Sequence, residues 1–355
     1  MKAYFWQHMK VFVSMLLIFC NASLFAQLGG NSTYHFLNLH ASARIAALGG
    51  SAINNPATDL NLSAANPALL NKNFSKQMAF SYVKYIADIG AGYVGTAYHS
   101  DSLQTTFSAG LQYIDYGNFK RMSPDGADLG NFTAGEYCFQ LAATKNINSF
   151  QIGAQAKFIY SNLETYQSVG IATDLAAAWF DEKRLSMATL VISNLGTQLS
   201  TYSDKEKEKL PLNVQLGYSK KFEHSPLRIG VIAQHLEMAG KLLYQIENRN
   251  NNNIDLETGL PIQEDFSLLD QMMSHLILNG ELVLTKNFNL RIGYNHLKRR
   301  ELALTDSKGT SGYSWGFGIK INRFQLHYGS GAFLGGQNTN HFSIITNLEE
   351  FKKKN

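Results

Sequence analysis

Cysteine, proline and charge are all scarce in this chain. Of its 355 residues, two are cysteine, six are proline and 16% are charged. Cys20 ends an apolar N-terminal run, so a mature chain keeps Cys138 alone and can form no internal disulfide. Cys138 lies on the small-residue face of an alternating stretch, with nothing nearby to activate a thiol, and reads as a wall residue. The charged fraction falls well below the roughly 25% of soluble proteins. Beyond residue 26 no stretch supplies the ~18 consecutive apolar residues of a membrane helix. The ten histidines are scattered, without an H-x-x-x-H pair or a Cys/His cluster, so no metal site is expected. Asn248–Asp255 is Asn-rich but carries one carboxylate where a calcium cage needs several. No nucleophile, base and orienting group fall into one set, so neither a catalytic residue nor a cofactor is expected.

Present instead are a leader and a repeated pattern. Lys2 and Lys10 precede the apolar run Val11–Cys20, and Ala26-Gln27 offers a cleavage point, so residues 1–26 read as a secretory signal peptide. Lipidation at Cys20 is disfavoured because Phe19 stands where a small residue is required. Without the two leader lysines the charges nearly balance, which gives no nucleic-acid signature. Residues 27–75 do not alternate. Ala-rich His40–Leu48 is stopped by Gly49-Gly50, and Asn66-Pro67 marks a turn, so this stretch reads as a hatch or plug.

Residues 76–351 read as a barrel, followed by a short basic tail at 352–355. Ser149–Tyr160 shows the pattern most plainly. Phe150, Ile152, Ala154, Ala156, Phe158 and Tyr160 alternate with Gln151, Gly153, Gln155 and Lys157. About fourteen such strands lie between Gln77 and Leu348, and a tilted strand of about nine to eleven residues, as in Ser149–Tyr160, crosses a bilayer core. Junctions such as Asn146–Phe150, Asn287 and Asn322-Arg323 are short, whereas Tyr116–Ala134, Leu195–Pro211, Glu237–Ser274 and Lys298–Gly312 are long. That sorting predicts an all-β, antiparallel outer-membrane barrel, with periplasmic termini and extracellular long loops. Glu136, Lys157, Asp174, Arg228, Glu281, Arg291 and Lys320 fall on the inward face and are expected to form a mixed-sign lumen network. Tyr82, Tyr93, Tyr113, Tyr160, Trp179, Tyr218, Tyr294 and Trp315 fall on outward positions, as girdle residues do.

With hatch and strands in place, the chain resembles the FadL-like outer-membrane barrels. More closely, it is similar to the PorQ-type barrels of the Bacteroidetes type IX secretion system. The resemblance rests on Tyr34–Gly50, Asn66–Asn71, Ser81–Gly95, Gly110–Phe119, Gly135–Tyr137, Ser193–Leu199, Gly293-Tyr294, Ser314–Phe317 and His341–Phe351. It implies a non-enzymatic anchor in the attachment complex. Such an anchor holds a PorZ-type surface protein beside a sortase-like enzyme and that enzyme's barrel anchor, while cargo is linked to lipopolysaccharide. The long Glu237–Ser274 connection would then supply the docking residues Leu242, Leu243, Tyr244, Leu268, Leu269, Met272 and Met273, apolar groups on a loop that something must cover. A second reading is a FadL-type transporter of a hydrophobic small molecule. An apolar path leading to a gap in the wall would favour transport, and a filled lumen under a flat outer surface would favour anchoring.

Overall fold

The computed structural model describes residues 32–56, 59–203, 207–239, 268–302, 310–332 and 338–351. The expected leader, the basic tail and the loop residues Leu242, Leu243 and Tyr244 lie outside the described residues. Fourteen strands follow one another: β1 (Gln77–Lys84), β2 (Gly90–Ser100), β3 (Thr105–Met122), β4 (Asp128–Ile147), β5 (Phe150–Leu163), β6 (Tyr166–Asp181) and β7 (Ser186–Ser200). Then come β8 (Asn213–Lys221), β9 (Leu227–Ala233), β10 (Leu276–Val283), β11 (Phe288–Asn295), β12 (Tyr313–Ile321), β13 (Phe324–Ala332) and β14 (Asn338–Asn347). Each pairs antiparallel with its neighbour, and β1 pairs with β14 to close the barrel. Closure removes the open edges that lipid cannot satisfy. Alternation dictates the wall. In β5, Phe150, Ile152 and Phe158 stand about half exposed toward lipid, while Gln155, Lys157 and Ile159 are buried inside.

The wall is uneven in height. β3 and β4 run 18 and 20 residues, whereas β8 to β11 run seven to nine. The expected loop Tyr116–Ala134 is largely strand. After a bulge, Asn118 pairs with Thr133 and Phe119 with Phe132, their rings stacked at 5.2 Å. Arg121 pairs with Glu164 of the next hairpin at 2.6 Å. This extension lacks the strict apolar face that marks a membrane strand, which is why alternation did not reveal it. β7 also outruns its partner. Only Ser186–Ser193 pair with β8, and Asn194 takes the left-handed conformation (φ 62°) at a bulge where that pairing stops.

Residues 32–75 fold inside the barrel. They form 3₁₀ turns at His35–Asn38, Leu60–Ala64, Pro67–Leu69 and Lys72–Phe74, and one short helix, α1 (Ala43–Ala47). The Ala-rich stretch therefore gives less than two turns of helix, ended by Gly49 and Gly50 at φ 93° and 92°. Asx caps start the later turns. Asp59 accepts from the Asn61 amide at 2.8 Å, Asn66 from Ala68 at 3.0 Å and Asn71 from Asn73 at 3.0 Å. Asn66 also donates to the Ile53 carbonyl at 2.9 Å and to Thr189 of β7 at 3.0 Å. Seating is close: a Cβ on Gly153 of β5 would lie 2.5 Å from backbone atoms of Pro67 and Ala68.

One expected girdle residue is inside. Tyr93 is 6% exposed and packs in the lumen, where its hydroxyl occupies the space a Cβ on Gly95 or Gly110 would need. Its strand turns Val94, Thr96 and Tyr98 toward lipid instead. The aromatic ring fills volume left by glycines, so its chemistry did not reveal its direction.

Candidate functional site

Two kinds of lining meet within the barrel. On the flank of short strands, Glu281 of β10 stands in register between Arg228 of β9 and Arg291 of β11. Arg44 reaches it from α1, donating to both carboxylate oxygens at 3.0 and 3.1 Å, and to Asn55 at 3.0 Å. The Arg291 Nε donates to Glu281 at 2.9 Å, while its Nη1 lies 3.1 Å from His327 Nδ1. His327 Nε2 in turn lies 3.8 Å from Asp59 Oδ2 in the hatch. Burial raises the Asp59 carboxyl above the ordinary range, against the pull of Arg44 and Arg291. This belt ties hatch to wall through charges that water does not screen.

A second buried pair joins Lys157 of β5 to Asp174 of β6 at 2.7 Å. Asn194 completes it, accepting from Lys157 at 2.8 Å and donating its amide to Asp174 at 2.8 Å. The Asn194 carboxamide donates to Pro211 at 3.0 Å and to Asn38 of the hatch at 3.1 Å. Glu136 accepts separately from the Tyr116 hydroxyl at 2.6 Å.

The seven expected lumen residues therefore divide. Glu281, Arg291 and Arg228 share one cluster, Lys157 and Asp174 a second, and Glu136 stands apart with Tyr116. Lys320 joins none of these and is exposed near the end of β12. Arg44, Asp59, His327 and Asn194 were missed. Asn66-Pro67, Gly49-Gly50 and the missing alternation marked the hatch, but nothing local marked its arginine as the partner of a glutamate 237 positions away.

Along β1 to β6 an apolar patch of the wall faces the hatch. Val83, Tyr93, Ile114, Cys138, Ile159 and Ala172 point inward and pack on Tyr34, Phe36 and Leu37 of the hatch. Cys138 is a buried free thiol within this cluster. Of the expected docking residues, Leu268, Leu269 and Met272 expose 77%, 71% and 67% on α2 (Leu268–Ser274), while Met273 is partly buried. An ion pair at 2.8 Å between Asp270 and Arg300 holds α2 to α3 (His296–Glu301). Among the described residues, no group of His, Cys, Asp and Glu could hold a metal.

No family model and no curated protein matches the chain. Solved structures do. The Ralstonia pickettii toluene transporter TbuX is 11% identical, with TM-score 0.45 over 87% of this chain and 97% of its own. A deletion mutant of the monoaromatic hydrocarbon channel TodX is 12% identical, with TM-score 0.49 over 87% and 97%. A Pseudomonas aeruginosa FadL homologue is 9% identical, with TM-score 0.45 over 86% and 98%. At such identities likeness concerns the fold. The chain is an all-β, fourteen-stranded antiparallel transmembrane barrel of FadL-like architecture, in the outer membrane, with periplasmic termini and extracellular long loops.

The resemblance to PorQ-type secretion barrels is overturned by these findings, which lie with the FadL-type channels. The anchoring role falls with it, as do the PorZ-type partner, the sortase-like enzyme and its barrel anchor. The blocks that carried that resemblance have architectural duties. Asn66–Asn71 caps and seats hatch turns, and residues of Tyr34–Gly50 pack the lumen.

Proposed function

We propose that this barrel is a channel admitting a small hydrophobic molecule across the outer membrane. The observation that carries the reading is an apolar patch in the lumen, where inward residues of β1 to β6 meet the hatch. Inward positions of a water-filled barrel are polar. Here Val83, Ile114, Ile159 and Ala172 instead face an apolar hatch surface built from Tyr34, Phe36 and Leu37. Such a lining offers little to a hydrated solute and can exchange its own contacts for those of an apolar one. The break in wall pairing above Asn194 lies between β7 and β8. The hatch fills the middle of the barrel, so passage requires it to shift.

The test uses asymmetric vesicles whose outer leaflet is lipopolysaccharide, which itself resists hydrophobic solutes. The purified barrel should speed uptake of N-phenylnaphthylamine severalfold and leave sugar-driven swelling unchanged. Swelling with sugars but no gain in N-phenylnaphthylamine uptake would show a hydrophilic pore and sink this reading.

A further inference from the structure

Beneath α3, between the hatch and strands β13 and β14, lies a cavity of about 70 Å³. Lys298 of α3, His40 of the hatch and His341 of β14 line it, with Tyr85 contributing an apolar side. The Lys298 ammonium rests over Gly50, and a Cβ there would collide with it. Gly50 also has φ 92°, so the position suits glycine twice over: for the turn and for the lysine above it.

The charges around this cavity do not balance. Among the described residues no carboxylate comes within ion-pair distance of Lys298; Glu301 is the acid that acts on it, from further away. Burial holds the Lys298 ammonium below the usual lysine range. His40 does not compensate, because burial, Lys157 and Lys298 hold it down to about 4 and leave it neutral near pH 7. His341 is committed: its Nδ1 lies 3.2 Å from the Ala41 carbonyl, to which it donates, and its Nε2 accepts from Thr339 at 3.0 Å. A partly buried cation with no acid beside it among the described residues is disfavoured. It becomes favourable when an anion accepts its hydrogen bonds, at roughly 2.7–2.9 Å.

We propose that this cavity binds a small oxyanion, the size of acetate or inorganic phosphate, on the Lys298 ammonium. Its volume fits that class. It exceeds the space of one water, about 10–15 Å³ by the same measure, and falls far short of the roughly 300 Å³ of pockets for larger ligands. A hydrocarbon tail is excluded. The bound anion joins α3, outside the barrel, to Gly50 and His40 of the hatch within. The site therefore fixes the hatch rather than carrying cargo, and the proposal stands whether or not the hydrophobic-uptake reading holds.

The test titrates sodium acetate and sodium phosphate into the full-length, detergent-solubilised barrel near neutral pH. Ionic strength is held with chloride, and binding is read by calorimetry and by the rise in melting temperature. Saturable binding is expected, weakened about tenfold or more in Lys298→Met, largely kept in Lys298→Arg, and unchanged in Lys320→Met. A heat-modifiable gel shift confirms that each variant is folded. Equal binding by wild type and Lys298→Met, or no saturable binding by either anion, overturns the proposal. A third arm uses octanoate: binding of octanoate alone would place Lys298 on an amphiphile's route and overturn the small-anion site.

Discussion

The flank of β3 to β7 and the flank of β8 to β11 hold the same hatch with their charges placed differently. Both pack it with apolar groups, Ile159 in one cluster with Phe36 and Tyr34, Ile232 and Ile277 in another with Ile45 and Ile53, but the tall flank keeps the Lys157–Asp174 charges paired within the wall. The short flank ties the hatch with charges that cross between the two, Arg44 to Glu281. Apolar packing is non-directional and lets surfaces slide, whereas charge-assisted hydrogen bonds fix geometry. The crossing charges on the short flank therefore fix where the hatch sits.

The largest effect should come from breaking the anchorage. Glu281→Ala leaves Arg44, Arg228 and Arg291 facing one another without a carboxylate, and should cost about 3–5 kcal/mol. Chemical denaturation should show it, with Glu281→Gln milder because the amide still accepts hydrogen bonds. An unchanged denaturation midpoint for Glu281→Ala would mean that the charged belt does not hold the hatch.

Next, Gly153→Val on the tall flank should cost about 1–3 kcal/mol by driving a side chain into Pro67 and Ala68. The hatch should become sensitive to protease, and ion conductance in planar bilayers should rise. Should the hatch stay protected, its seat on β5 is softer than the 2.5 Å approach implies.

A similar change in stability, with a clear change in transport, is expected of Ile159→Gln. The buried amide costs about 1–3 kcal/mol and should reduce N-phenylnaphthylamine uptake severalfold, while Ile159→Val retains it. Equal uptake by all three proteins would separate the tall-flank lining from the cargo route.

The smallest effect concerns pH. His40 is held near 4 in the fold against an ordinary 6.5, so its contribution is full above about 6.5 and is lost as pH falls through about 4. Asp59 works with the opposite sign: its raised carboxyl favours the fold below 3.8 and loses that contribution as pH rises through its folded value. Melting temperatures of wild type and His40→Asn should therefore diverge near neutral pH and converge toward pH 4. Parallel pH profiles would show that His40 protonates as freely in the fold as outside it.

The sequence by itself determined the barrel. Period-two alternation is local, because each residue faces lipid or lumen according to its place in the pleat. Phe150, Ile152 and Phe158 therefore disclosed their side without any knowledge of partners, and the short turns beside long loops disclosed the orientation. Asn66-Pro67 and Gly49-Gly50 likewise announced turns through backbone preference alone.

Only the tertiary structure decided what the lumen contains. Tyr93 points inward because Gly95 and Gly110 leave room for its ring, a matter of volume rather than hydropathy. Arg44 finds Glu281 and Asn194 finds Asn38 across long stretches of sequence, since a segment folded inside a closed wall can meet any strand. The height of β3 and β4 was hidden because beyond the bilayer no apolar face is imposed. Lys298 could not be distinguished from a solvated loop lysine until α3 was seen to place its ammonium over Gly50. Patterns set by solvent are written residue by residue, whereas pairings within the lumen exist only once the wall has closed around the hatch.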